Sequence, residues 1–562
     1  MTASLMPGLP ILIGALFVPL LRGHLQKGFL LLLPIIGLAQ LMVLDHGSLI
    51  QLSLFEYELN PVRIDRLSLV WGYIFHIALL LNIIFSLHVR DNVQHIAGLV
   101  YAGSAIGAAF AGDLITLFVY WELTAVASVF LIWAVRTERS YRAGMRYLIV
   151  QVGSGVLLLA GILILVSDTG SLAFDRLELI GVGPWLIFTA FGIKAAFPLL
   201  HGWLQDAYPE ATVTGTVFLS AFTTKLAIYA LARSFPGTEI LIPIGAAMTV
   251  FPIFFAVIEN DLRRVLTYSL NNQLGFMVVG VGIGTELSIN GTAAHAFAHI
   301  LYKALLFMSM GAVLYRTGTI KGSELGGLYR SMPWTTAFCC IGAASISAFP
   351  LFSGFVSKSL IVSAAGDGHY LITWLILLFA SAGVFHHSGI KIPYFAFFAH
   401  DSGIRCKEAP LNMLIAMGIT ATLCIAIGVF PSYLYSILPY AVDYQPYTTS
   451  HVITQLQLLM FSALAFIFLQ RTGLYPPELP SVNLDIDAIY RRVLPFIMGA
   501  IGRITVTGRD RIITTGKKAV SSILVVVERY HGRRGIFART WTTSSSVLIV
   551  LVFLALYLLL YL

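Results

Sequence analysis

Charge is the scarcest property of this chain. Only 11% of its 562 residues are charged, against 58% hydrophobic and a mean hydropathy of +0.85, whereas soluble domains carry about 25% charged residues. A soluble fold is excluded. Cysteine is nearly as rare, and Cys339, Cys340, Cys406 and Cys424 include no CxxC pair, so neither a disulfide framework nor an iron–sulfur site is expected. The sequence has no Walker loop, haem-attachment motif or GxSxG elbow. Gly280-Val-Gly-Ile-Gly284 ends an apolar helix with no strand before it, so it is not a nucleotide loop. No cofactor site and no metal site is expected, and the isolated polypeptide does not read as an enzyme. The first positive charge, Arg22, follows the opening apolar stretch, which reads as a retained first helix rather than a signal peptide.

What the chain does have is apolar runs of about 20 residues from end to end, the length of a spanning helix. They are continuous, whereas strands of a membrane barrel alternate apolar and polar over about 10 positions. The reading is an all-α polytopic membrane protein. Helices are expected near 5–21, 28–44, 67–87, 95–112, 114–135, 147–166, 184–204 and 214–232, and then near 240–258, 265–284, 289–315, 333–363, 370–399, 411–438, 452–470 and 545–562. The Lys/Arg bias of the loops checks this count, because cytoplasmic loops collect positive charge. One side holds Arg22, Lys27, Arg90, Arg136, Arg139, Arg142, Arg146, Arg263, Arg264, Arg316, Lys321, Arg330, Arg405 and Lys407, and the other only Arg63, Arg66, Arg176 and Arg233. That segregation predicts sixteen spans with both termini external.

The basic segment from Arg471 to Thr540 holds twelve Lys/Arg and five Asp/Glu, which puts it on the cytoplasmic face. Within it, 489–538 interleaves basic residues with Val493, Leu494, Ile497, Ile501, Ile504, Ile523, Leu524 and Val527, as an interfacial amphipathic helix does. A solvated basic loop is the alternative, and Gly499, Gly502, Gly508 and Gly516 argue for breaks. The expected organisation is N-terminal helices over 1–94, a first repeat over 95–234, a second, inverted repeat over 235–400, closing core helices over 401–470, the basic segment over 471–544 and a final helix over 545–562. The repeat is legible in Ala196-Phe-Pro-Leu-Leu-His-Gly-Trp-Leu204 and Ala348-Phe-Pro-Leu-Phe-Ser-Gly-Phe-Val356, five helices apart and hence of opposite orientation. Pro198 and Pro350 each remove a backbone donor inside an apolar run.

Ionisable groups inside a membrane are costly and mark function by default. Glu122, Lys194, Lys225, Lys303 and Lys358 each stand alone in an apolar helix. A single lysine can snorkel to the interface or complete a structural ion pair, but Glu122 neutralises at most one of four. His295, His299 and Lys303 follow at i, i+4 and i+8, three proton-exchanging groups on one helix face over roughly 12 Å. They read as a proton wire, with satisfied core histidines as the plain alternative. Zinc is disfavoured for want of an acidic partner or a nearby cysteine. His201, Asp206 and Glu210 after Lys194 are candidates for a proton inlet or outlet, as are His386, His387 and Lys391, or they are loop polars.

Phe118-Val-Tyr-Trp-Glu-Leu-Thr124, Gly192-Ile-Lys-Ala-Ala-Phe-Pro-Leu-Leu-His-Gly-Trp-Leu-Gln-Asp-Ala207, Thr223-Thr-Lys-Leu-Ala-Ile-Tyr-Ala-Leu231, Asn260-Asp-Leu-Arg-Arg-Val-Leu-Thr-Tyr-Ser269, His295-Ala-Phe-Ala-His-Ile-Leu-Tyr-Lys-Ala-Leu-Leu-Phe307 and Ser353-Gly-Phe-Val-Ser-Lys358 resemble, in order, the signatures of the antiporter-like subunits of respiratory complex I and of Mrp-type cation/proton antiporters. The resemblance covers roughly residues 60 to 435 and implies a core of about fourteen helices with inverted repeats and a buried charged axis. By motif position it implies Glu122 and Lys194 as the gating pair, Lys225 as the central relay, Lys358 as the terminal lysine, and His295, His299 and Lys303 as the connection. Gly389-Ile-Lys-Ile-Pro-Tyr-Phe-Ala-Phe-Phe398 and Asp485-Ile-Asp-Ala-Ile-Tyr-Arg-Arg492 are most similar to the D-type Mrp subunits, although Glu210-Ala-Thr-Val-Thr-Gly-Thr216 lacks that loop's usual proline and the tail is longer. The implied function is the proton-conducting subunit of a multisubunit Na⁺ (cation)/H⁺ antiporter in a bacterial inner membrane, with other membrane subunits as partners and no nucleic acid. The alternatives are a proton-pumping subunit of complex I or a related hydrogenase or carbon-uptake assembly, and a structural membrane module.

Overall fold

The computed structural model describes residues 6–44, 47, 49–54, 57–476, 478–479 and 483–561. Two units emerge, residues 1–485 and 486–562. The first is built of helices α1 (Leu9–Phe17), α2 (Gly23–Val43), α3 (Arg66–Ser86), α4 (Asn92–Ala109), α5 (Leu114–Trp133), α6 (Glu138–Thr169), α7 (Val182–Lys194), α8 (Gly202–Ala207), α9 (Val213–Ala221) and α10 (Thr223–Ser234). It continues with α11 (Leu241–Ile258), α12 (Leu262–Ile283), α13 (Glu286–Thr317), α14 (Pro333–Ile346), α15 (Ser353–Asp367), α16 (Leu371–Val384), α17 (Lys391–Pro393), α18 (Leu411–Val429), α19 (Pro431–Ser436) and α20 (Thr449–Arg471).

Among the described residues eleven helices have the length and hydropathy to cross a membrane, and three shorter apolar ones accompany them. This is an integral membrane protein. Each of the sixteen expected spans corresponds to a helix, but five of them are interrupted: α7/α8, α9/α10, α14/α15, the π-wound continuation of α16 through Phe398, and α18/α19. α4 and α12 are long enough but less apolar. In α12 the cause is Arg263, Arg264 and the amides Asn271, Asn272 and Gln273.

Helix starts follow local chemistry. Asp65, Asp113, Thr137 and Asp261 cap α3, α5, α6 and α12 by accepting N–H groups of the first turn. Glycines at positive φ, Gly170, Gly284 and Gly318, end α6, α12 and α13. A feature absent from the sequence reading is the antiparallel hairpin β1 (Leu49–Leu54) and β2 (Tyr57–Arg63) between α2 and α3. It ties loops of its own side: Gly112 N–H donates to Asn60 O at 2.9 Å, and Arg63 pairs with Asp175 at 2.5 Å. At the centre of the unit, α13 packs against α3, α9, α12, α14, α15 and α18. That packing leaves α9–α10 and α13 enclosed on nearly every side.

The second unit is α21 (Leu494–His531), preceded by a π-helical turn at Ile489–Val493, and α22 (Thr543–Tyr561). The breaks expected at the four tail glycines are not there: α21 runs unbroken through Gly499, Gly502, Gly508 and Gly516, each with open space where a Cβ would stand. At 38 residues it is about 57 Å long. The first unit also runs further than the expected limit at 470. Tyr475 is buried in an aromatic cluster with Phe395 and Phe466, and Glu478 and Asp485 are paired with core residues, so these three side chains belong with the first unit.

Candidate functional site

The two copies of the Ala-Phe-Pro-Leu repeat make the same backbone break. Ala196 and Ala348 take positive φ (61° and 57°), as do Leu199 and Leu351 (69° and 74°). Phe197 N–H reaches back to Gly192 O and Phe349 N–H to Ala344 O, both at 3.0 Å. Left-handed backbone at alanine and leucine costs roughly 1–2 kcal/mol per residue, and the carbonyls freed by each break need donors. Trp203 Nε1 donates to Ile193 O at 2.9 Å in the first copy, and Lys358 Nζ to Ile346 O at 3.2 Å in the second. Gly354 is required at the second break, because a Cβ there would collide with the Ser345 carbonyl.

Lys194 is the last residue of α7, fully buried at the first break. Its Nζ donates to Trp121 O at 2.6 Å and to Thr124 Oγ1 at 3.1 Å and lies 4.3 Å from the centre of the Trp121 ring. Glu122, between those two residues on α5, is close enough to act on Lys194 electrostatically but forms no direct ion pair with it. Its Oε1 is buried without a hydrogen-bond partner among the described residues, against the backbone of Gly155 on α6.

None of the lysines snorkels: Lys194, Lys225 and Lys303 expose nothing and Lys358 only 3%. Lys225 sits just after the α9/α10 interruption and donates to the freed Ser220 O at 2.5 Å. On α13, His295 lies 3.2 Å from both Ser357 Oγ on α15 and Gln273 Oε1 on α12, and Tyr302 OH donates to the same Gln273 oxygen at 3.1 Å. His299, one turn on, has no hydrogen-bond partner among the described residues at either ring nitrogen, and neither has Lys303 Nζ. Lys225, Lys303 and Lys358 all act electrostatically on His299, and Lys303 and Lys358 on His387. Through Ser388, the neighbour of His387, the cluster reaches Ser269 at 2.7 Å. The structure therefore gathers Lys225, His295, His299, Lys303, Lys358 and His387 into one buried cluster, with Glu122 and Lys194 as a second pair. A cavity of about 310 Å³ opens beside Lys358, lined also by Ser359, Ser381, His451 and Gln455.

The remaining candidates are engaged elsewhere. Asp206 is held by Arg146 at 2.6 and 2.8 Å, and Glu210 by Arg139 at 2.5 Å. His201 meets Asp485 at 3.2 Å. Lys391 is buried, pairs with Glu478 at 2.9 Å and donates to three backbone carbonyls, Ala256, Val257 and Glu259. His386 is set among Phe466 and Tyr475. Sequence reasoning missed Gln273, Tyr302 and Ser357. The run Asn271-Asn-Gln273 in an otherwise apolar helix was the available signal for the first; the other two are ordinary residues until the fold places them. It also missed Glu478 and Asp485, which composition assigns to the tail.

The model of the NADH:quinone oxidoreductase/Mrp antiporter transmembrane family matches residues 111–382. The chain is 30% identical over 355 residues to the D component of the Na⁺/H⁺ antiporter of Alkalihalophilus pseudofirmus, a match covering 59% of this chain and 72% of that protein. Its fold is similar to a chain of the Mrp complex of a Dietzia species, with a TM-score of 0.68 at 20% identity over 80% of this chain and 98% of that one. It is also similar to a chain of the membrane-bound sulfane sulfur reductase, an archaeal respiratory membrane complex, with a TM-score of 0.72 at 23% identity over 97% and 99%.

Proposed function

The chain belongs to the NADH:quinone oxidoreductase/Mrp antiporter family, and from that footing we propose that it is the proton-conducting membrane subunit of a multisubunit Na⁺ (cation)/H⁺ antiporter. The observation that carries this reading is the fully buried cluster of Lys225, His299 and Lys303, which no carboxylate neutralises among the described residues. Lysines so placed repel one another through a weakly screening interior, so a proton added at one raises the cost of holding one at the next. Protons pass between Lys225, the α13 histidines and Lys358. Glu122 sets the charge of the route by acting on Lys194, and the cavity beside Lys358 joins it to one face. An axis made chiefly of lysine repels Na⁺, so partner subunits supply the cation site.

From the loop bias we read the basic side as cytoplasmic and both termini as outside, and the bacterial source of the relatives supports an inner membrane. The halves 95–234 and 235–400 act as the two repeats, each carrying one proline break. A second reading, a proton-pumping subunit of a respiratory assembly, is supported by the family itself, which takes in NADH:quinone oxidoreductases as well as Mrp antiporters. The test is collapse of an imposed pH gradient in inverted vesicles containing the chain with its co-expressed neighbours. Proton movement on adding Na⁺ or K⁺ supports the antiporter; movement only on adding NADH supports the respiratory reading; no movement with either leaves a structural module.

A further inference from the structure

Outside the charged axis, the most distinctive feature is a cavity of about 600 Å³ between the α1–α2 turn and the α3–α4 turn. Successive antiparallel helices put both turns on the same side, the one rich in positive charge. Arg22, Lys27 and Arg90 line the cavity together with His24, His88 and His95, and no carboxylate among the described residues does. None of the three cations has an ion pair among the described residues. The nearest acid, Asp91, is committed to capping α4 and to Arg136 at 3.2 Å. Gln26 holds the two walls together, donating to Val18 O and to Asn92 Oδ1, both at 3.0 Å. α2 begins at this cavity with no side-chain cap at Arg22 and no acid in its first turn, so its free N–H groups add to the positive field.

Immediately beside these cations the surface is apolar. Leu16, Leu20 and Leu25 are about three-quarters exposed (75%, 76% and 76%) and Phe17 is half exposed. A free anion has no use for such a flank, whereas an amphiphile matches both halves of it. Basic pockets between membrane helices on the cytoplasmic side suit phospholipid headgroups, and guanidinium groups bind phosphate oxygens in pairs.

We propose that this cavity is a binding site for an anionic phospholipid, its phosphate held by Arg22, Lys27 and Arg90 and its acyl chains lying along Leu16, Leu20 and Leu25. The lipid fills the space between the α1–α2 and α3–α4 turns, which Gln26 also bridges.

The test is native mass spectrometry of the full chain, purified in detergent with whatever co-expressed subunits remain bound, titrated with phosphatidylglycerol, with phosphatidylcholine and with inorganic phosphate. One phosphatidylglycerol is expected to be retained at least about tenfold more tightly than phosphatidylcholine. The triple variant Arg22→Gln/Lys27→Gln/Arg90→Gln loses that one molecule, and Arg511→Gln/Lys517→Gln/Lys518→Gln in α21 keeps it. Equal retention of the two lipids by the wild type overturns the proposal without any variant, and so does undiminished retention by a folded triple variant. Displacement of the lipid by millimolar inorganic phosphate assigns the cavity to a free anion and overturns the lipid assignment. Arg90→Gln alone, in an exposed turn, gives a partial loss if the triple variant fails to fold.

Discussion

Glu122 Oε1 occupies the space that a Cβ on Gly155 would need. That oxygen is buried, lacks a hydrogen-bond partner among the described residues and reaches its position only because α6 presents bare backbone there. Gly155→Ala is therefore expected to displace Glu122 and to lower cation-driven proton flux as far as Glu122→Gln does. Gly153, two residues earlier on the same helix, has open space around it, so Gly153→Ala is expected to leave flux unchanged and to stabilise the helix by up to about 1 kcal/mol. Equal flux in the two glycine variants contradicts the placement of Glu122.

Lys303 is buried with no hydrogen-bond partner for Nζ among the described residues. Replacing an unpaired buried charge by an apolar side chain of similar length removes a desolvation cost of several kcal/mol. Lys303→Met is expected to raise the thermal midpoint in detergent while reducing proton flux at least tenfold. A variant that is both less stable and fully active contradicts a relay role.

Asp485 accepts a hydrogen bond from Tyr268 at 2.8 Å and meets His201 at 3.2 Å, while Glu478 holds Lys391. These two acids fasten the chain at Glu478 and at Asp485 onto both halves of the core. Asp485→Ala is expected to cost about 1–3 kcal/mol and to expose this segment to limited proteolysis. An unchanged cleavage pattern contradicts the clamp.

Asp65 caps α3 through Ser68 N–H at 2.8 Å and is gripped by Arg233, also at 2.8 Å. Burial pushes its carboxyl upward, but the Arg233 hydrogen bond and charge, with the Ser68 N–H, outweigh that and hold it below the usual range. A depressed carboxyl contributes stability above its unfolded value, about 3.9, and loses it as pH falls through the lower folded value. The loss of thermal midpoint in Asp65→Asn is thus expected to be full at pH 7 and at pH 5 and to shrink at pH 3. A constant difference across that range contradicts the assignment.

Much of this was legible in the sequence, because membrane physics makes few residues carry much information. Lone charges such as Lys225 in apolar runs pointed to the buried lysines, and the matched Pro198 and Pro350 marked both breaks. The extra interruption at Phe222, inside α9/α10, has no proline or glycine to announce it; tertiary packing of Trp71 and Tyr101 around Lys225 and Thr223 fixes it. The β1–β2 hairpin was hidden because it is short and sits between stronger helical signals. Glu478 and Asp485 were hidden because composition averages them into a basic tail, whereas their partners lie far away in the chain.

The central claim is that protons cross by way of Lys225. Its most direct test is proton flux into inverted vesicles holding the chain with its neighbours, driven by an imposed pH gradient and triggered by the active cation, comparing wild type with Lys225→Ala at matched protein levels. The variant is expected to assemble, with a lowered thermal midpoint because the freed Ser220 carbonyl loses its donor, and with its triggered flux reduced to the background of empty vesicles. Wild-type flux through an assembled Lys225→Ala protein would contradict a proton route through this lysine.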